Sequence, residues 1–219
     1  MALPTYLELV NDVMVRMREP EVSTVNQNVL SKLVGRFIND AKRQVEDAYT
    51  WNTLSTTLTL TTTPATYNYV LPNTGSRFKV SEVFDNTNKT TLRAISSIEM
   101  THFLFMTATP QSGAPNYYNF NGADANGDTK VDIFPVPDAA YSIFFNIYQP
   151  QLDLSTDATV LLVPKEPVVH LAFAKALVER GEDGGEQSSE AYSLYRQVLA
   201  DAIAIESSRY TEEDSWVAI

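Results

Sequence analysis

Hydrophobic and polar positions recur with a helical period at both ends of the chain and with a period of two in the middle. Over residues 5–19 and 30–48, apolar side chains return every three or four positions, which predicts two amphipathic helices. Thr5 and Glu8 have the spacing of a capping box at the first helix start. At Trp51 the pattern changes to alternating threonine and leucine, which is typical of β-strands.

The middle of the chain predicts several short strands separated by turns. Ser96 and Glu99 again have capping-box spacing, so a short helix is expected over residues 96–105. Turn signals separate the strands at the intervals of a small sandwich or barrel. The predicted strands lie in TLSTTLTLTTTPATYNYVL, FKVSEVFD, TTLRAI, NYYNF, KVDIFPV and YSIFFNIYQ.

Two further helices are predicted after Pro150. The first has Pro164 near its first turn and Gly181 at its end, and its apolar residues cover nearly every face, so it should lie centrally. The second covers residues 190–210. Because short helices depend on tertiary packing, all four should pack together. The predicted fold class is α+β, a four-helix bundle with an inserted antiparallel β-sandwich or barrel-like domain. The predicted divisions are 1–52 and 151–210 for the bundle, 53–150 for the β domain, and 211–219 for a C-terminal tail.

Composition restricts the function classes. The 219 residues are 44% hydrophobic and 20% charged, which is a globular balance. The net charge of −11 argues against a protein that wraps nucleic acid. The absence of cysteine excludes disulfides, thiolate metal sites and a cysteine nucleophile. The N-terminal pattern predicts no signal peptide, and no apolar stretch is long enough to span a bilayer.

The best local match to a metal motif lies in DANGDTKVD. Asp124, Asn126 and Asp128 have the one-three-five spacing of a calcium loop, but the twelfth position, where a glutamate should close the loop, is Pro135. A hairpin turn is therefore expected there, with a weak calcium site as the alternative.

The sequence contains few of the residue patterns that catalytic sites require. His102 and His170 lie on unrelated segments, and we expect His170 to be a hydrogen-bonded core residue. No nucleophile elbow, phosphate-binding loop or dinucleotide fingerprint is found. We therefore predict that the chain is not an enzyme and that it has no catalytic, cofactor-binding or metal-binding residues. Four carboxylates of the β region could nevertheless converge in a cleft, as a glycosidase requires: Glu82, Asp85, Glu99 and Asp132.

Uncharged aromatic stretches suggest contact surfaces instead. Residues 100–123 contain no Asp, Glu, Lys or Arg and are rich in aromatic residues, as contact cores between proteins are. These residues are expected to form an interface with another copy or another protein, or else to be covered within the monomer. The predicted interface residues are Phe103, Phe105, Met106, Tyr117, Tyr118 and Phe120. The chain ends in an apolar tip on an acidic tether, which predicts a docking tail or else a free end. The tail residues are Tyr210, Trp216, Val217 and Ile219.

An early helix, TYLELVNDVMVRMRE, is followed by RFINDAKRQVEDAYTWNTL and then by threonine-rich strands. This pattern, which covers the first 60 residues, resembles the head-to-tail adaptors of tailed bacteriophages, the tail tubular protein A or gatekeeper class. The residues that carry it are Leu7, Val10, Asn11, Arg16, Phe37, Ile38, Asn39, Ala41, Val45, Glu46, Trp51 and Asn52.

The resemblance implies a structural virion protein of the neck, assembled in the host cytoplasm. It implies a ring, commonly of twelve copies, that binds the portal through the C-terminal segment and a tail protein through the β domain. DNA would pass through the lumen without specific binding. The alternative is a carbohydrate-binding or adhesive module of a virion or cell surface.

Overall fold

The computed structural model describes residues 3–181 and 185–209. Within them the chain forms α1 (Tyr6–Arg16), α2 (Val29–Ala48), β1 (Ser55–Thr61), β2 (Asn68–Val70), β3 (Lys79–Asp85), β4 (Thr90–Thr91), β5 (Arg93–Ala94), α3 (Ser97–Phe105), β6 (Tyr117–Ala123), β7 (Thr129–Phe134), β8 (Ser142–Tyr148), α4 (Lys165–Arg180) and α5 (Glu186–Ser207). The order of elements confirms an α+β fold. In the described part of the chain, no helix is long and apolar enough to cross a bilayer.

Local capping explains where the helices begin. The Glu8 N–H donates to Thr5 Oγ1 at 3.3 Å, and the Thr5 N–H donates to Glu8 Oε2 at 2.8 Å. Ser96 and Glu99 make the same reciprocal pair at the start of α3. Both predicted capping boxes are therefore confirmed. Gly181 ends α4 with a φ of 63°, a conformation that favours glycine.

The chain divides into two compact units. One comprises Met1–Leu54 and Gln151–Ile219, and the other comprises Ser55–Pro150. In the helical unit, α4 contacts α1, α2 and α5, so it lies centrally as its apolar sequence predicts. The core of this unit includes Leu9, Val13, Val34, Ile38, Val45, Trp51, Leu161, Val169, Ala172 and Tyr195.

The β unit contains two four-stranded sheets with the orders β1-β8-β3-β4 and β2-β7-β6-β5. Neither sheet closes on itself, so the barrel-like arrangement among our expectations is not found. The predicted strand TTLRAI is divided, because Leu92 is buried between β4 in one sheet and β5 in the other. β5 also runs parallel to β6, whereas the other pairs in the described sheets are antiparallel.

The main core of the β unit takes apolar side chains from strands of both sheets. The rings of Tyr118 on β6 and Phe145 on β8 meet edge to face, with centroids 6.0 Å apart. This packing uses the inward-facing half of the period-two pattern. The buried members are Leu71, Val83, Leu92, Tyr118, Val131, Ile133, Ile143, Phe145 and Ile147.

Candidate interaction surfaces

An apolar surface lies on α3 and its C-terminal end, within the uncharged stretch singled out from the sequence. Phe105 is 63% exposed and Met106 is 72% exposed. The ring of Phe105 makes an edge contact with Tyr67 at 5.9 Å between centroids, which orients it while most of its surface faces water. We call Phe105, Met106 and the neighbouring half-covered Phe103 the α3 surface.

Packing of the inner side of α3 against the sheet holds this surface in place. Met100 and Leu104 point inward and form a small core with Phe134 of β7. Phe103 stacks on Phe134, with ring centroids 4.9 Å apart and an interplanar angle of 17°. One side of the helix is thus anchored to the sheet, and the α3 surface is presented by a regular element.

The three predicted interface residues on β6 have different environments. Tyr118 is 8% exposed and belongs to the core of the β unit, where burial raises the pKa of its phenol. Tyr117 and Phe120 are half-buried, and Phe120 contacts Phe78 edge to face at 5.5 Å. Strand side chains alternate between two faces, so Tyr117 packs on the small core under α3, whereas Tyr118 and Phe120 share the face toward the main core of the β unit. The exposed apolar surface is therefore narrower than the sequence suggested.

The calcium-like segment forms a turn, as expected. It joins β6 to β7, which pair antiparallel. Asp124 Oδ1 accepts the N–H groups of Asn126 at 2.8 Å and Asp128 at 2.9 Å, and the Asp128 hydrogen bond is the main cause of the lowered pKa of Asp124. The Asp128 carboxylate instead accepts the N–H groups of Asn73 and Gly75. The oxygens that would ligate a metal are thus used to fix the backbone.

His170 is a buried residue of α4, as expected. Its ring nitrogens lie 3.5 Å from Arg16 Nη1. Burial is the larger cause that lowers its pKa, the Arg16 charge acts in the same direction, and Glu166 opposes both. Throughout residues 3–181 and 185–209, no group of three or more His, Asp or Glu residues could hold a metal ion.

The four carboxylates considered for catalysis do not form a pair in the described structure. Asp85 is buried and accepts the N–H of Thr87 at 2.7 Å at the turn after β3. Asp132 lies in the other sheet, where its oxygens accept the side-chain amides of Asn68 and Asn121. Glu82 and Glu99 are exposed. Each buried carboxylate therefore has a structural role in its own sheet.

The predicted docking tail lies outside the described residues. This applies to all of its members, Tyr210, Trp216, Val217 and Ile219.

Two further surface features were not predicted from the sequence. The first is an open groove of about 680 Å³ between α2, α4 and α5. The second is Leu152, which is 87% exposed on the loop that enters the helical unit. The only signal of the second in the sequence is a leucine between the polar residues Gln151 and Asp153.

Comparison with known proteins identifies the family. A family model described as SU10 adaptor protein matches residues 4–216, which is nearly the whole chain. A comparison with curated proteins gives no match. The family match confirms the resemblance to phage head-to-tail adaptors that the N-terminal helices indicated.

This assignment implies a structural role in a phage particle, as a component of its neck or tail that contacts other virion proteins. Adaptors of this kind are typically not enzymes. The family match favours this role over a carbohydrate-binding module. The chain belongs to the SU10 adaptor protein family, a family of phage head-to-tail adaptors.

Proposed function

We propose that the chain forms a closed ring, of twelve copies, that joins the portal to the tail and encloses a channel for DNA. The observation that carries the proposal is the family match over residues 4–216. The four longer helices α1, α2, α4 and α5 would form a bundle in each copy and, side by side, the wall of the ring. A ring repeats one interface many times, so modest contacts between copies sum to a stable assembly.

We assign the α3 surface to the next component toward the tail. Phe105 and Met106 are exposed on a helix whose other side is packed, so they are available without unfolding. Exposed aromatic and methionine side chains without nearby charges are typical centres of protein interfaces. Phe103 would extend the contact through its uncovered edge.

We assign the C-terminal segment to the portal. Trp216, Val217 and Ile219 follow an acidic tether, so a short segment combines an aromatic anchor with a polar link to α5. Removal of residues 211–219 should abolish portal binding and leave the melting temperature unchanged. Portal binding that survives the truncation would refute this assignment.

The charge of the chain fits a passive channel. At −11 per copy, twelve copies carry roughly −130, and screening restricts this charge to about 8 Å from the surface at physiological salt. Acidic groups in the lumen would repel DNA phosphates at short range. DNA would therefore slide through without specific binding.

An in vitro assembly reaction tests the function. DNA-filled heads made without this chain should fail to accept tails, and addition of the purified chain should restore tail attachment. Heads that take tails equally well without the chain would contradict the proposed function. The assembly of such heads in a host lacking only this gene product would show that the chain acts after packaging.

A further inference from the structure

Leu152 is an exposed apolar residue whose preceding neighbour is rigidly held. The Gln151 carbonyl accepts a hydrogen bond from Lys42 Nζ at 2.6 Å, and the Gln151 N–H donates to Glu46 Oε1 at 3.1 Å. Lys42 and Glu46 are themselves fully buried and pair at 3.1 Å. The side-chain amide of Gln151 also donates to the Val160 carbonyl at 2.6 Å. One side of Leu152 is thus fixed to the core of the helical unit.

The residues after Leu152 are held as well. The carboxylate of Asp153 pairs with the Arg43 guanidinium. The N–H of Leu154 donates to Asn39 Oδ1 at 2.8 Å, and Asn39 Nδ2 donates back to the Leu154 carbonyl at 3.1 Å. We call residues 151–154 the Leu152 loop. The residues on both sides of its exposed leucine are thus held to α2.

The buried Lys42–Glu46 pair holds the Leu152 loop in a way that suits contact with a partner. A buried ion pair such as Lys42–Glu46 is a poor source of stability, because desolvation offsets much of the attraction. Here the pair fixes the backbone of the Leu152 loop, and a loop whose backbone is already held loses less conformational entropy when a partner covers it. A leucine held out into water in this way has the properties of an interface anchor.

A surface of the same unit offers a matching site. The groove between α2, α4 and α5 has a mostly apolar lining and a volume of about 680 Å³, far more than one leucine side chain requires. We call it the helical groove. Its apolar wall is formed by Phe37, Leu171, Ala174, Val178 and Tyr192.

The Leu152 loop and the helical groove lie on different faces of α2. Asn39, Lys42, Arg43 and Glu46 hold the loop, whereas Phe37, Asp40 and Gln44 line the groove. At 100° per residue, the centres of these two sets lie about 140° apart around the helix axis. Leu152 is 87% exposed and does not line the groove of its own chain. Complementary patches on different faces are what a head-to-tail contact between identical copies requires.

Charge supports the same pairing. Lys32 and Arg36 are exposed on α2 and, with Arg43, continue the face that holds the Leu152 loop at i, i+4 and i+11. The helical groove carries the carboxylates of Asp40 and Glu179 and the ammonium group of Lys175. Arg43 pairs with Asp153 of the loop and, at 3.5 Å, with Asp40 of the groove side. The excess positive charge beside the loop therefore comes from Lys32 and Arg36, and the groove side is at most slightly acidic. Such complementarity orients two copies as they meet.

We propose that Leu152 of one copy inserts into the helical groove of a second copy and that this head-to-tail contact joins neighbours in the assembly. The proposal rests on the proposed function for the ring that such contacts would close. It adds the two surfaces and the residues that meet. The occupant is a second copy because the anchor and its site occur on one chain, on different faces of α2, and Leu152 leaves the groove of its own chain open.

Disulfide trapping tests the contact directly, because the chain contains no cysteine of its own. Chains with Leu152→Cys and chains with Val178→Cys, mixed in equal amounts and mildly oxidised, should yield heterodimers well above the half of all dimers that random pairing gives. A disulfide requires Cβ atoms about 4 Å apart, so only the proposed contact produces this bias. The matched control is Val29→Cys with Val178→Cys, since Val29 is 84% exposed in the same unit. A yield of heterodimers no higher than in the control would overturn the proposal.

Charge substitutions provide a second, independent readout. Leu152→Asp and Val178→Arg should each weaken self-association about 30-fold or more in sedimentation, as loss of a hot-spot residue does. Val15→Asp, at an exposed position of α1 away from both surfaces, should match the wild type. The Leu152→Asp variant keeps an intact helical groove, and the Val178→Arg variant keeps an intact Leu152 loop. A mixture of the two should therefore form dimers that add no further copies. Self-association unchanged in Leu152→Asp would refute the contact.

The portal-binding measurement separates the two proposals. Portal binding without the 152–178 cross-link would overturn the contact and retain the proposed function. The cross-link without portal binding would retain the contact and overturn the proposed function.

Discussion

Replacement of Lys42 by methionine should strongly destabilise the helical unit. The ammonium group of Lys42 is fully buried, 3.1 Å from Glu46 Oε1 and 2.6 Å from the Gln151 carbonyl. Methionine fills a similar volume but leaves the Glu46 carboxylate buried without its cation. Breaking a buried ion pair from one side costs about 3–5 kcal/mol. This is a large fraction of the 5–15 kcal/mol by which a typical domain is stable.

Urea unfolding at neutral pH, followed by tryptophan fluorescence, measures this loss. Trp51 is 1% exposed in the core of the helical unit and reports its unfolding. Lys32→Met is the matched control, because Lys32 is exposed on the same helix and its loss should change the free energy of unfolding by no more than about 0.5 kcal/mol.

The double variant tests the cause of the loss. Lys42→Met with Glu46→Met removes the unpaired charge but also the partners of the Gln151 N–H and carbonyl groups. We expect it to be more stable than Lys42→Met alone and less stable than the wild type. A loss below about 1 kcal/mol in the single variant would refute the reasoning. A double variant no more stable than the single variant would refute it as well.

Three further predictions follow from the structure. Tyr118→Ala should lower the free energy of unfolding of the β unit by about 3 kcal/mol or more, as loss of a core aromatic does. Phe105→Ala should change this free energy by less than about 1 kcal/mol but weaken binding to the tail component. Thermal unfolding and a pull-down measure the two effects. Gly35→Ala should destabilise the packing of α2 on α1, because its Cβ would lie 2.4 Å from the Tyr6 hydroxyl oxygen; a melting temperature equal to the wild type would show that Tyr6 can move freely. Capping hydrogen bonds lower the pKa of Glu99, and the largest effect comes from the backbone N–H of Ser96. The ionised Glu99 side chain therefore stabilises the fold at pH values above its unfolded-state pKa, and this stabilisation is lost as the pH falls through the lowered pKa. Stability measured between pH 6 and 3 should fall less steeply in Glu99→Gln than in the wild type.

Local rules predicted the helices and strands well because their causes lie within a few residues. The capping boxes at Thr5 and Ser96 are pairs three residues apart, and both are present. The start of α5 was placed four residues late, since Glu186 to Ser189 are polar and give no apolar periodicity. The division of TTLRAI between two sheets depends on where Leu92 is buried, which only the tertiary fold determines.

The contact surfaces were predicted less completely, for a related reason. Composition identified residues 100–123 as a contact segment, but it could not separate the buried Tyr118 from the exposed Phe105. The Leu152 loop depends on anchors more than 100 positions earlier, at Asn39, Lys42 and Glu46. No local pattern encodes pairings over that distance.

Native mass spectrometry of isolated portal mixed with the purified chain tests the central claim most directly. The account predicts one mass that corresponds to a portal ring carrying a full set of adaptor copies, twelve on a twelvefold portal. It also predicts that Leu152→Asp leaves partly filled rings, because neighbours no longer support one another. A portal that binds no copies of the wild-type chain would contradict the account.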